Sequence, residues 1–75
     1  MEVTEVKLKP GQEYITLQSL LQIGDIISTG GMAKVYLESE KVLVNNVLEN
    51  RRGRKLYPND LVVASGKTFL IVKPC

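Results

Sequence analysis

Residues 28–49, "STGGMAKVYLESEKVLVNNVLE", join a helical stretch to a hairpin and thereby decide the predicted fold. In the first half, apolar residues recur at helical spacing and charged residues take the opposite side. Ser28 or Thr29 is the predicted N-cap of this helix. In the second half, two apolar runs flank Asn45-Asn46, and asparagine tolerates the left-handed backbone of a two-residue hairpin turn. The predicted buried stripe of the helix consists of Ala33, Tyr36 and Leu37.

The flanking segments predict one more helix and further strands. Upstream, residues 3–9 alternate imperfectly between apolar and polar side chains, which is typical of an edge strand, and Thr16 is the predicted N-cap of a first helix. Downstream, "LYPND" predicts a turn with a positive φ at Asn59, and "DLVVA" and "TFLIV" predict a second hairpin. The predicted order is β-α-α-β-β-β. We expect an α+β fold in which two helices pack on a small, mostly antiparallel sheet.

Length and charge indicate one domain, residues 1–75, with one strongly basic segment. The net charge is only +2. Residues 1–50 hold four Lys and seven Asp or Glu, a balance of −3, whereas residues 51–75 hold six Lys or Arg and one Asp, a balance of +5. A local concentration of positive charge of this kind is suited to contact with a polyanion.

The residue inventory argues against catalysis, metal binding and membrane insertion. The chain has no His and one Cys, Cys75, so neither a zinc site nor an internal disulfide is expected, which fits a cytoplasmic setting. Without His, none of the serines has an evident base, and "GGMAK" lacks the spacing of a phosphate-binding loop. The longest apolar runs have four residues, and the first ten residues do not form a signal peptide. We expect Cys75 to be a frayed terminal residue.

The start of the second predicted helix is the first candidate binding site. A helix N-terminus presents unpaired N–H groups and the positive end of the helix dipole, which together attract phosphate. Gly30 and Gly31 place no side chain in front of these amides, and Lys34 adds a positive charge one turn later. We therefore expect Thr29, Gly30, Gly31 and Lys34 to contact a phosphate.

The basic run after the hairpin is the second candidate site. Arg51, Arg52 and Arg54 can each hold a phosphate through two parallel hydrogen bonds, and Lys55 adds a fourth cation. As exposed loop residues they are expected to contribute little to stability. Gly53 gives the backbone room to turn between them. The alternative is a solvated loop that holds only counterions.

The stretch from residue 16 to residue 63 resembles the S-four-type RNA-binding domain, also called the αL motif. "TGGMAK", "VLVNN", "RRGRK" and "PND" stand where that family has a Ser/Thr-capped helix with a basic residue, a "V-x-V-N-G" hairpin, a basic stretch and "P-G-D". Asn46 and Asn59 replace the usual glycines, and asparagine is the next-best residue at a positive φ. Lys34 replaces the Arg of many members, which keeps the charge but loses the bidentate fork.

The resemblance implies a domain that binds structured RNA, either ribosomal RNA or tRNA, without a cofactor or a small-molecule substrate. The combination of "TGGMAK" with "ENRRGRKL" looks most like the small stand-alone bacterial members, which implies a role at the ribosomal subunit or in ribosome assembly, as a monomer. With one Phe, three Tyr and no Trp, a base-stacking platform is not expected. The rival prediction is a protein-interaction adaptor that uses the basic loop and an edge strand.

Overall fold

The computed structural model describes residues 2–74 as two helices and seven strands, so the predicted α+β fold is confirmed. The expectation for Cys75 lies outside the described residues. The helices are α1 (Leu17–Ile23) and α2 (Met32–Ser39). The strands are β1 (Val3–Lys7), β2 (Ile15–Thr16), β3 (Val42–Val44), β4 (Val47–Leu48), β5 (Lys55–Leu56), β6 (Leu61–Ala64) and β7 (Lys67–Val72). The predicted order has four strands and is therefore three short: it lacks the two-residue strands β2 and β5, and it has one strand fewer than the two predicted hairpins require.

Five strands form the main sheet, in the order β1-β7-β6-β3-β4. β1 pairs with β7 in parallel, and the other three pairs are antiparallel, so the sheet is mostly antiparallel as predicted. β1 lies at one edge, which confirms the edge strand predicted from residues 3–9. The strands β2 and β5 form a separate antiparallel pair that joins Ile15 to Leu56 and Thr16 to Lys55.

The turns have the backbone that their residues predicted. Asn45 and Asn46 have φ values of 52° and 67° between β3 and β4, and Ser65 and Gly66 have 52° and 75° between β6 and β7. Successive positive φ angles match the right-handed twist of the flanking strands and so close a tight hairpin. Asn59 has a φ of 78°, as expected for the turn before β6.

Both helices contribute buried residues to one hydrophobic core with the sheet. Thr16 caps α1 as predicted, because its Oγ1 accepts a hydrogen bond of 3.2 Å from the Ser19 amide. α1 ends at Gly24, where a Cβ atom would lie 2.6 Å from Cζ of the buried Phe69. A glycine is therefore needed for α1 to end this close to β7. No helix within residues 2–74 has the length and apolar character needed to cross a membrane.

Candidate nucleic-acid interface

Glu49 organises the basic loop from a buried position. Its side chain is only 7% exposed. Oε2 accepts hydrogen bonds from Nε and the backbone N–H of Arg51, at 3.0 and 3.1 Å, and Oε1 accepts one of 2.7 Å from Nη1 of Arg54. The side-chain hydrogen bond from Arg51, with help from Arg54, lowers the pKa of Glu49 to about 2 although burial alone raises it. Glu49 is therefore an ionised anchor for two arginines.

The three arginines of the loop are consequently not equivalent: Arg51 and Arg52 are exposed as predicted, whereas Arg54 is only partly exposed. Arg54 is 34% exposed and Arg51 is 73% exposed, and both bind Glu49. The same hydrogen bond raises the pKa of Arg51 above its ordinary value. Both ion pairs are local in the sequence, since Glu49 lies two residues before Arg51 and five before Arg54. Arg52 remains as an exposed side chain of the loop.

The backbone of the loop closes the N-terminus of α1. The amide of Leu17 donates to the carbonyl of Arg54 at 2.9 Å, and the amide of Gln18 donates to the carbonyl of Arg52 at 3.0 Å. Two amides that an α-helix leaves unpaired at its start are thereby satisfied. Arg54 also donates its amide to the Arg51 carbonyl at 3.2 Å, which closes a turn. The basic loop is thus held across the first turn of α1.

The start of α2 differs from its prediction in one respect. The helix begins after Gly31, which has a helical φ of −65° and ψ of −20°, and no side chain caps it. The predicted cap by Ser28 or Thr29 is therefore wrong. The physical reason is that backbone carbonyls already take the role, because the Met32 amide donates to Thr29 at 3.1 Å and the Ala33 amide donates to Gly30 at 3.2 Å. These two amides are therefore already hydrogen-bonded and are not free donors for a phosphate.

Gln18 links the two candidate segments. Its backbone amide binds the loop at Arg52, and its side chain lies against Gly30, where a Cβ atom would be 2.5 Å from Nε2 of Gln18. Gly30 thus permits close packing of the α2 start on α1, and Gln18 covers the position of its missing side chain. Gly31 differs, since nothing lies within 4 Å of the position of its missing Cβ. Only Gly31 therefore keeps the open face that was predicted for both glycines.

Lys34 and Arg52 line one surface groove, together with Leu37, Glu38 and Asn50. The groove has a volume of about 540 Å³. Lys34 comes from α2 and Arg52 from the loop, and both side chains are exposed. The structure therefore brings together one cation from each predicted segment. Glu38 adds a negative charge at the same groove.

A second groove is lined by other residues of the loop and includes residues that the sequence did not single out. It is lined by Arg51, Gly53, Arg54, Lys55, Tyr57 and Asp60. Nζ of Lys55 lies 5.1 Å from the ring centroid of Tyr14, within the range of a cation–π contact. Sequence reasoning missed Glu49, Gln18, Tyr14 and Tyr57. Of these, only Glu49 had a local signal, namely a carboxylate immediately before a run of arginines.

This arrangement can bind anions at several points. The loop itself carries four positive side chains, those of Arg51, Arg52, Arg54 and Lys55. The part of the chain between residues 2 and 74 contains no group of three His, Cys, Asp or Glu residues suited to a metal ion. Thr29 is exposed next to Gly30 and Gly31, and it shares their backbone turn without lining the groove of Lys34 and Arg52.

Comparisons with known proteins identify a family and a relative of this chain. A model of the S4 domain matches residues 6–72. A relative from Bacillus subtilis (strain 168), described as the probable ribosome maturation protein RlbA, is 52% identical over 54 residues, which are 72% of this chain and 76% of that protein. No solved structure matches the chain significantly. Because the family match includes both helices, the main hairpins and the basic loop, the chain belongs to the S4 domain family.

Proposed function

We propose that this S4 domain binds structured ribosomal RNA and acts in ribosome maturation. The observation that carries the proposal is the groove in which Lys34 of α2 and Arg52 of the loop come together. Two cations from separate segments suit the backbone of a folded RNA, whose phosphates lie at defined relative positions. Membership of the S4 domain family and the similarity to a probable ribosome maturation protein support the same function.

The proposed contacts divide between two kinds of arginine. Arg52 can rotate its fork onto a phosphate without giving up a partner, whereas Arg51 and Arg54 stay tied to Glu49 and offer their remaining N–H groups. Lys34 and Lys55 add point charges, one at each groove. Such groups read the shape and backbone of RNA, so we propose that the domain acts by binding and not by catalysis. We further propose that it acts as a monomer.

A charge-matched pair of variants tests this surface. We expect Lys34→Ala combined with Arg52→Ala to weaken binding of a ribosomal RNA hairpin by tenfold or more, on the order of 1.4 kcal/mol or more. The control is Lys67→Ala combined with Lys73→Ala, which removes the same charge at exposed positions outside the groove. Fluorescence anisotropy at fixed salt measures both. Equal losses of RNA affinity in the two variants would show that only the net charge matters, which would contradict the proposed groove.

The identity of the RNA is tested in cells. Ultraviolet crosslinking followed by sequencing should recover ribosomal RNA from cells that make the chain, and less of it with the Lys34/Arg52 variant. Recovery of tRNA instead would keep the RNA-binding function and replace its target. Absence of RNA, together with no binding to any hairpin at low salt, would refute RNA binding and favour the protein adaptor.

A further inference from the structure

Tyr14 and Tyr57 form an aromatic pair beside the basic loop. Their ring centroids are 5.7 Å apart and the rings are inclined by 47°. Tyr14 precedes β2 and Tyr57 follows β5, so the pairing of these two short strands brings together residues that are far apart in the sequence. Lys55 adds its ammonium group 5.1 Å from the Tyr14 centroid. The amino-acid composition argued against a base-stacking platform, so this cluster is contrary to that expectation.

The backbone of Tyr57 is held in place while its ring remains accessible. The Tyr57 amide donates to Oδ2 of Asp60 at 2.8 Å, and the Asp60 amide donates back to the Tyr57 carbonyl at 3.0 Å. Asn45 fixes Asp60 in turn through a hydrogen bond of 3.1 Å to Oδ1. Tyr57 is nevertheless 46% exposed. A pre-positioned ring that is half open to solvent loses little conformational freedom when a flat group stacks on it.

The ring of Tyr57 and the cations of the loop line the same groove. Arg51, Arg54 and Lys55 contribute positive charge to it, and its volume is about 540 Å³. Clefts that hold small organic ligands measure roughly 300–1,000 Å³, so one nucleotide fits within this size range. A nucleotide has an anionic phosphate and a flat aromatic base. The groove offers a partner for each part of the nucleotide, namely its cations for the phosphate and the ring of Tyr57 for the base.

We propose that the Tyr14–Tyr57 pair is a stacking site for a single unpaired nucleobase whose phosphate lies against Arg51, Arg54 and Lys55. This inference rests on the proposed RNA binding and specifies its ligand, namely a folded RNA with one base turned out of the helix. Tyr57 provides the contact surface in the groove, Tyr14 packs against Tyr57 outside the groove lining, and Lys55 lies over the ring of Tyr14. Base stacking tolerates any base, because every base has a π face. The site therefore distinguishes an RNA with an extruded base from a continuous duplex.

Three hairpins test the site with the full chain. One carries a single bulged 2-aminopurine nucleotide, the second carries an abasic residue at the same place, and the third lacks the bulge. We expect the bulged hairpin to bind more tightly than the other two, and the 2-aminopurine fluorescence to be quenched on binding. Tyr57→Ala should weaken binding of the bulged hairpin by about 5- to 150-fold, the range for loss of one stacked base, and abolish the quenching.

Conservative variants separate stacking from folding. Tyr57→Phe should retain both the affinity and the quenching, whereas Tyr57→Leu, which keeps an apolar side chain without a π face, should lose both. Equal affinity for the bulged and abasic hairpins would overturn the stacking site and leave the proposed RNA binding intact. Failure to bind all three hairpins at low salt would overturn the RNA binding, and the stacking site with it. Unchanged thermal unfolding of Tyr57→Ala shows that the fold is retained.

Discussion

A buried glutamate that anchors two arginines gives the basic loop a defined shape. Without Glu49, four cations in five positions would repel one another and favour an open loop. We expect Glu49→Gln to lower the free energy of unfolding at pH 7 by about 1–3 kcal/mol, because hydrogen bonds that involve charged groups are lost or weakened. Chemical denaturation followed by circular dichroism measures this change. Stability equal to that of the parent would show that the carboxylate charge does not anchor the loop.

The same residue gives a prediction for pH. The pKa of Glu49 is about 2 in the folded chain, below its ordinary value of 4.5. The unfolded chain therefore binds an extra proton between these values, so this contribution to stability is complete above about pH 4.5 and is lost as the pH falls towards 2. Glu49→Gln should show a shallower loss of stability across this window. An identical pH dependence for parent and variant would contradict the low pKa.

The arginines supply an internal comparison. We expect Arg54→Ala to destabilise the fold, because it leaves the buried Glu49 carboxylate without its 2.7 Å partner. Arg52→Ala should change stability by less than about 0.5 kcal/mol, since that exposed side chain is a surface substitution. Thermal unfolding distinguishes the two. Equal effects would mean that the loop is held by its backbone hydrogen bonds and not by the ion pair.

Gly24 and Gly31 differ in the space that is available for a side chain. Gly24→Ala should destabilise by about 1–3 kcal/mol, because the new methyl would lie 2.6 Å from the buried ring of Phe69 and force the core to shift. Gly31→Ala should stay within about 0.5 kcal/mol of the parent, since its Cβ meets nothing and its backbone is already helical. Denaturant titration of both variants tests the pair. A tolerated Gly24→Ala would show that the ring of Phe69 moves freely.

At the scale of elements, the sequence predicted what depends on neighbours along the chain. The cap at Thr16, the hairpin at Asn45-Asn46 and the turn at Asn59 follow from local backbone preferences, so they could be read in advance. Strands of two residues such as β2 and β5 carry no periodicity, because two positions do not define a pattern. The capping of α1 by carbonyls of the loop was equally hidden, since any residue has a carbonyl and only the tertiary fold selects which one is used.

The start of α2 was predicted correctly in place and wrongly in detail. A helix and a glycine pair do occur there, but the hydroxyls of Ser28 and Thr29 do not cap it. The absence of a hydroxyl cap does not decide whether RNA contacts this end of α2, so a variant is needed to test the contact. We expect Gly31→Glu to fold normally, because a negative charge is favourable near a helix N-terminus and Gly31 faces open space. It should weaken binding of an RNA hairpin by repelling a nearby phosphate.

The neutral control for this variant is Gly31→Gln, which adds the same bulk without the charge. Anisotropy titrations of the two variants at one salt concentration isolate the electrostatic part of the effect. We expect Gly31→Gln to bind more tightly than Gly31→Glu. Equal affinities for RNA in Gly31→Glu and the parent would place the phosphates elsewhere, and the grooves around the loop would then hold them alone.

At the scale of the whole molecule, the tertiary fold brings together side chains that are far apart in the sequence. Apolar periodicity and cap residues predicted the two helices, the charge count predicted where cations concentrate, and the resemblance to the S4 domain implied RNA binding. None of these gave the groove shared by Lys34 and Arg52, because its formation depends on α1 holding the loop next to α2. The aromatic pair could not be predicted from the sequence either, since Tyr14 and Tyr57 meet through the pairing of two strands that have two residues each. Local chemistry was thus predictable, while the joint presentation of distant residues was not.

The dependence of RNA binding on salt tests the assembled surface as a unit. If the cations of α2 and the loop neutralise about three to five phosphates, the logarithm of affinity should fall with the logarithm of salt concentration with a slope of about −2 to −4.5. A folded hairpin should bind more tightly than an unstructured strand of equal length, because Glu49 holds Arg51 and Arg54 and α1 holds the loop backbone in one relative arrangement. Exchange of base pairs that preserves the fold should change affinity little. Equal affinity for the folded and unstructured strands, at the predicted slope, would keep the phosphate contacts and contradict recognition of RNA shape.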